Sequence, residues 1–268
     1  MNSEAPIGIF DSGIGGLTMA HAVTHLLPNE NIIYFGDTAH LPYGDKSATA
    51  IQAYSIKICN LLMQQKCKVI LIACNSASAA AYELVKEYMG SKAKVLDVIN
   101  PVIKYIGENY EGKTIGLIGT KQTINSNIYK KKVDALAKDI ELKSMATPLL
   151  APMIEEGFFN NQISESIIEQ YLNDSQIANI EALILGCTHY PLIKNQIEGY
   201  YKNKVNVLDT SEIVAKALQS FLIENNLLNT NKKPNHHFYV SDYTASFEAS
   251  TRLFFGENVK LEHYPLWE

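Results

Sequence analysis

Short apolar runs alternate with stretches in which apolar residues return every three to four positions, over nearly the whole chain. The runs Ile7–Asp11, Ile32–Phe35, Val69–Ala73, Val95–Val98, Thr114–Ile118, Ala182–Leu185 and Val205–Leu208 predict strands. Helical periodicity marks Leu17–Leu27, Ser47–Gln65, Ala77–Met89, Asn125–Ala137, Ser164–Leu172 and Glu212–Glu224. A strand with one wet face alternates apolar and polar residues. "VILIA" from Val69 and "ALIL" from Ala182 do not alternate, which suits strands covered by helices on both faces. The pattern predicts an α/β protein built on mainly parallel sheets.

A repeat is superimposed on this alternation. "IGIFDS" at Ile7 and "IGLIGT" at Ile115 are each a strand running into a polar turn. "VILIACNSAS" from Val69 and "ALILGCTHYP" from Ala182 are each a strand ending in cysteine. Ile7 and Ile115 stand 108 residues apart, and Cys74 and Cys187 stand 113 apart. The near-equal offsets predict two related, pseudo-symmetric α/β halves instead of one continuous sheet. Asn229 to Asn235 is polar and loop-like, yet "HHFYVSD" after it is strand-like, so this stretch reads as internal to a domain.

Composition narrows the chemistry. At 268 residues and 47% hydrophobic, the chain can bury one large core or two smaller ones. No apolar run approaches the ~20 residues of a membrane span. Met1 to Pro6 has no basic segment leading into an apolar one, as a signal peptide would. A cytoplasmic protein with no membrane partner is expected. The net charge of -5 argues against a nucleic-acid partner, and the run Lys130, Lys131, Lys132 reads as a solvated helix face. Arg252 is the one arginine. An anionic ligand would therefore be held by backbone N–H groups, hydroxyls, amides or lysine, without a guanidinium fork.

The cysteines Cys59, Cys67, Cys74 and Cys187 contain no C-x-x-C pair, so neither a zinc ribbon nor a thioredoxin-type motif is supported. Cys59 and Cys67 read as small buried hydrophobes. Cys74 and Cys187 each close a strand and are followed by helix-opening text, Asn75-Ser76-Ala77-Ser78 and Thr188-His189-Tyr190-Pro191. Open α/β sheets bind ligands at the carboxyl ends of their strands. A helix N-terminus there stabilises a thiolate, drawing the thiol pKa from about 8.5 toward neutrality. One such thiol suggests a nucleophile. Two, symmetrically placed, suit racemisation, where one group removes an α-proton and the other returns one to the opposite face. On spacing alone, strand-end packing of both cysteines stays equally open.

The turn Asp11-Ser12-Gly13-Ile14-Gly15-Gly16 favours the chemical reading, because its N–H groups and the Ser12 hydroxyl can hold a carboxylate. Asp11 fits either a helix cap or a proton relay. Thr18 interrupts a G-x-G-x-x-G fingerprint, so a nucleotide-binding module is a rival of lesser weight. A redox sensor pairing Cys74 with Cys187 is another.

The strings "FDSGIGGL" (Phe10–Leu17), "PYG" (Pro42–Gly44), "ACNSAS" (Ala73–Ser78), "IGTKQTINS" (Ile118–Ser126) and "GCTHYPL" (Gly186–Leu192) occur in this order. With them the chain resembles the bacterial glutamate racemases, least so in its last stretch. The resemblance implies two α/β domains, 1–98 plus 210–268 and 99–209, with the active site in the cleft between them. It implies interconversion of L- and D-glutamate without cofactor or metal, supplying D-glutamate for peptidoglycan, with aspartate as the alternative substrate. Cys74 would act on the proton of the D-isomer and Cys187 on that of the L-isomer. Asp11 would assist Cys74, and His189, paired with Glu155, would assist Cys187. Substrate contacts would fall on Asp11, Ser12, Tyr43, Gly44, Asn75, Ser76, Thr120, Thr123, Thr188 and His189. Relatives are often dimers, so a homodimer is compatible with the sequence. Ser76 stands where the family usually has threonine, keeping the hydroxyl and losing a methyl. With about five residues ahead of the first strand, regulation by a cell-wall precursor is not expected.

Overall fold

The structure, a computed structural model, describes residues 2–231 and 234–268. Its strands are β1 (Ile7–Asp11), β2 (Ile32–Gly36), β3 (Val69–Ile72), β4 (Lys94–Asp97), β5 (Thr114–Gly119), β6 (Glu141–Ala146), β7 (Ala182–Gly186), β8 (Asn206–Leu208), β9 (His236–Val240) and β10 (Leu261–His263). They form two parallel sheets, a six-stranded one in the order β10-β9-β2-β1-β3-β4 and a four-stranded one in the order β6-β5-β7-β8. The segment β4-β3-β1-β2 has the same order as β8-β7-β5-β6, so the repeat seen in the sequence is a repeat of topology. β9 and β10 extend the first sheet alone. The strand memberships support a division at 98/99 and 209/210, which we propose as the domain boundaries.

The central strands β1, β3, β5 and β7 are mostly apolar because helices cover both faces. Ile7 and Ile9 of β1 point into a cluster that continues beneath the second sheet through Ile115, Leu117 and Ile184. Phe10 points the other way, to Phe35, Ile70 and Ile72 under helices Ala48–Gln64 and Asn75–Met89. Helix Thr210–Glu224 returns the chain between the halves, packing on helices Leu17–Leu26 and Ile99–Asn109.

The structure differs from the periodicity in several places, which include strand β10 and helix Ala245–Phe255, neither of them predicted. The stretch Asn125–Ala137 is broken into helices Lys121–Asn125 and Ile128–Ala135, because Asn127 adopts a left-handed conformation (φ 55°), which asparagine tolerates well. β6 was not predicted. It is an edge strand with exposed Glu141 and partly exposed Lys143 and Ser144, so it lacks an apolar run. Helix Ile99–Asn109 was also missed, its first turn containing Pro101, which a helix accepts there. Among the described residues, no helix is long and apolar enough to cross a membrane.

Candidate active site

β1, β3, β5 and β7 are the central strands of the two sheets, and their carboxyl ends carry most of the predicted residues. Asp11 ends β1. Cys74 follows β3 and caps helix Asn75–Met89, its sulfur accepting from the Ala77 N–H at 3.4 Å. Thr120 follows β5 and caps the next helix through the Thr123 N–H at 3.2 Å. Cys187 follows β7, and Thr188 and His189 lead into the short helix Tyr190–Ile193. Tyr43 and Gly44 come from a single helical turn after β2.

These elements enclose a cavity of about 40 Å³ lined from both halves by Ser12, Tyr43, Gly44, Cys74, Asn75 and Ser76, and by Thr120, Glu155, Cys187, Thr188 and His189. Leu41, Pro42, Ala151, Pro152 and Gly186 complete the wall. Asp11 and Thr123 stand behind it, both buried. A larger recess of about 440 Å³ lies nearby, but none of the cysteines opens onto it.

Behind Cys187, the sulfur lies 3.5 Å from His189 Nδ1, and His189 Nε2 lies 2.8 Å from Glu155 Oε1. Burial alone lowers the His189 pKa. The Cys187 sulfur and the Glu155 carboxylate outweigh it and hold the ring well above the ordinary histidine range. Because the folded value exceeds the unfolded one, this charged ring contributes stability below the unfolded pKa of about 6.5, and the contribution fades as pH rises through the folded value. The melting-temperature gap between the parent protein and His189→Asn should be widest at or below pH ~6.5 and narrow as the pH is raised. Melts across a pH series check this. A gap that does not change with pH would show an uncharged ring.

Behind Cys74 the setting is different. Asp11 Oδ2 accepts from the N–H groups of Gly13 (3.2 Å) and Gly16 (3.0 Å), while its Oδ1 is buried without a partner. Burial raises the Asp11 carboxyl above its usual range, although the His189 charge and the turn N–H groups pull it back in part. Burial also pushes the Cys74 thiol well up, and the Asp11 charge adds to this. The Ala77 N–H and the Ser12 hydroxyl, 3.8 Å away, oppose it only partly. The expectation that the helix N-terminus would bring this thiol toward neutrality is therefore corrected, because desolvation is the larger effect. Cys59 and Cys67 are buried as expected, the Cys67 thiol pushed up to about 12 by burial, and all four cysteines are free.

Hydroxyls and amides tie the halves together around the cavity. Ser76 Oγ lies 2.8 Å from Thr120 Oγ1 and 3.4 Å from Thr123 Oγ1. Thr18 Oγ1 donates to the carbonyls of Gly15 and Thr188, both at 2.9 Å. Tyr129 donates to Asn75 Oδ1 at 2.8 Å, which turns the amide nitrogen away from that contact. From the sequence, Thr18 was read only as a helix residue that breaks a glycine fingerprint and Tyr129 only as a member of a periodic helix, and neither was expected at the site. A Cβ on Gly15 would come within 2.4 Å of the His189 ring, so the turn after β1 and the histidine after β7 are in direct contact. Among the described residues, no group of three or more His, Cys, Asp or Glu is placed to hold a metal ion.

Comparison with known proteins agrees with this architecture. The sequence model of the family described as Asp/Glu/Hydantoin racemase matches residues 17–218. A curated glutamate racemase of Neisseria meningitidis is 38% identical over 258 residues, 96% of this chain and 95% of the relative. The crystal structure of glutamate racemase from Francisella tularensis in complex with D-glutamate superimposes with a TM-score of 0.91 at 41% identity, covering 99% of both chains. That of the Thermus thermophilus glutamate racemase, in complex with β-chloro-D-alanine, gives 0.88 at 34% identity and covers 98% of both. Similarity that covers nearly the whole chain makes the assignment plain: this chain belongs to the Asp/Glu/Hydantoin racemase family of enzymes, where it groups with the glutamate racemases.

Proposed function

We propose that this enzyme interconverts L- and D-glutamate by moving the α-proton between two thiols, with no coenzyme or metal. The observation that carries the reading is the placement of Cys74 and Cys187 on equivalent strand ends of two repeated sheets, both lining one cavity, with His189 beside Cys187 and the Asp11 charge acting on Cys74. Starting from L-glutamate, the Cys187 thiolate, stabilised by the His189 imidazolium, takes the α-proton. The electron pair left on the α-carbon is delocalised into the carboxylate, and the Cys74 thiol protonates the opposite face to give D-glutamate. In reverse, Cys74 must first lose its proton. Asp11 is the acceptor at hand, and its buried Oδ1 has no partner that competes for that proton.

The remaining contacts suit an amino acid with two carboxylates. Ser12, Asn75, Ser76, Thr120 and Thr188 provide hydroxyls and amides on the cavity wall, with Thr123 behind Ser76 and main chain at Tyr43 and Gly44. Because Tyr129 occupies Asn75 Oδ1, Asn75 has its donor nitrogen available for an anion. D-glutamate made this way would serve peptidoglycan assembly in the cytoplasm.

Polarimetry of the dialysed protein with a chelator present tests the proposal. Both glutamate enantiomers should lose optical rotation, and aspartate, one methylene shorter, should react at least about tenfold more slowly. A preference for aspartate would overturn the substrate assignment, and activity that requires added pyridoxal phosphate or metal would overturn the cofactor-free mechanism. Gly15→Ala displaces the His189 ring and should lower kcat by about 10²-fold while the protein remains folded. Circular dichroism for folding with steady-state kinetics checks this.

A further inference from the structure

The wall formed by Tyr43 and Gly44 has a support that the mechanism does not use. Asp37, just past β2, is fully buried, and its carboxylate gathers donors from separate parts of the chain. Tyr43 donates its hydroxyl at 2.6 Å, Ser241 its hydroxyl at 2.8 Å, and Trp267 its indole N–H at 2.7 Å, while His40 Nδ1 lies 3.0 Å away. No lysine or arginine pairs with it among the described residues. A buried carboxylate with no lysine or arginine partner depends on each of its donors, and losing one leaves a desolvated charge less compensated.

Trp267 is the single tryptophan of the sequence, and its ring is clamped on several sides. It meets His40 edge-on at 4.5 Å and Tyr54 at 5.4 Å, and the Lys57 ammonium lies 4.6 Å over its face. His40 is itself stacked on Tyr54 at 4.1 Å, and Tyr54 touches Tyr43 at 5.7 Å. The far side of the turn is equally constrained, since a Cβ on Gly44 would come within 2.9 Å of Thr120 in the other half. The turn is thus held between Thr120 and the Asp37 hub.

We infer that Trp267, acting through Asp37, is a positioning residue for the Tyr43–Gly44 wall, so that the C-terminal tail sets substrate affinity without touching the substrate. The inference rests on the reading that this cavity binds glutamate. It accounts for the direction of the Tyr43 side chain, whose hydroxyl is committed to Asp37 and leaves the ring and main chain to face the cavity.

Trp267→Phe tests it, because phenylalanine keeps an aromatic ring beside His40, Tyr54 and Lys57 and removes only the N–H donor to Asp37. The KM for glutamate should rise about tenfold, as expected for loss of a hydrogen bond to a charged group, with kcat within about twofold of the parent. A folded variant with unchanged KM, or one in which only the apparent kcat falls in proportion to lost folded protein, overturns the inference. Should the variant not fold, the parent protein decides: emission of its sole tryptophan should change saturably with glutamate, half-complete near KM, and a flat emission through saturation overturns the inference. A parent protein that does not racemise glutamate would instead defeat the functional reading, before any variant is compared.

Discussion

Cys74→Ala and Cys187→Ala should each slow racemisation by at least about 10³-fold in both directions, because each direction needs one thiol as base and the other as acid. The two variants differ in what they keep. Cys187→Ala retains the group facing the D-isomer's proton, so in deuterium oxide it should still exchange the α-proton of D-glutamate slowly, and that of L-glutamate not at all. Cys74→Ala should show the opposite preference. Both sulfurs are nearly buried at strand ends and methyl groups replace them without overpacking, so the fold should persist. Proton NMR of the α-position and chiral chromatography read the two quantities separately. Full turnover in either variant would remove that cysteine from the mechanism.

Asp11→Asn should cut kcat by about 10²-fold with little change in KM, and at the same time raise the melting temperature at neutral pH by about 2 °C or more. The first effect follows from losing the group that accepts the Cys74 proton. The second follows from the sign of the shift. Burial raises the folded Asp11 pKa above its unfolded value, so ionised Asp11 is less favourable in the folded protein than in the unfolded chain at neutral pH. Asparagine keeps an oxygen for the Gly13 and Gly16 N–H groups and carries no charge. The gain should shrink as the pH falls through the raised folded pKa and vanish below about 3.9, where aspartate is protonated in both states. Kinetics paired with calorimetry separates the two effects. A variant both slower and less stable would show that Asp11 serves as a structural cap alone.

Much of the fold was legible in the sequence because parallel strands covered on both faces must be apolar at every position. β1, β3, β5 and β7 are such strands, and the turns after them carry Asp11, Cys74, Thr120 and Cys187. The shared strand order of the two sheets was foreshadowed by the near-equal spacing of those strings. Edge strands gave weaker signals. β6 is half exposed and β10 has only three residues, so neither forms a run that periodicity can detect. The Asp37 hub was illegible for another reason. Its donors are residues 43, 241 and 267; Tyr43 was read only as a substrate contact, and Ser241 and Trp267, which tertiary folding alone brings to Asp37, look ordinary in their local text. The Cys74 thiol was read in the wrong direction because a sequence reveals a helix start but not how completely the sulfur is desolvated.

The measurement that bears most directly on the two-thiol mechanism is the isotopic composition of glutamate recovered early in racemisation of L-glutamate in deuterium oxide. A base on one face and a separate acid on the other predict D-glutamate carrying deuterium at the α-carbon, while the remaining L-glutamate keeps its original proton. Product that retains the original proton, or substrate that exchanges before any product appears, would contradict proton transfer between Cys187 and Cys74.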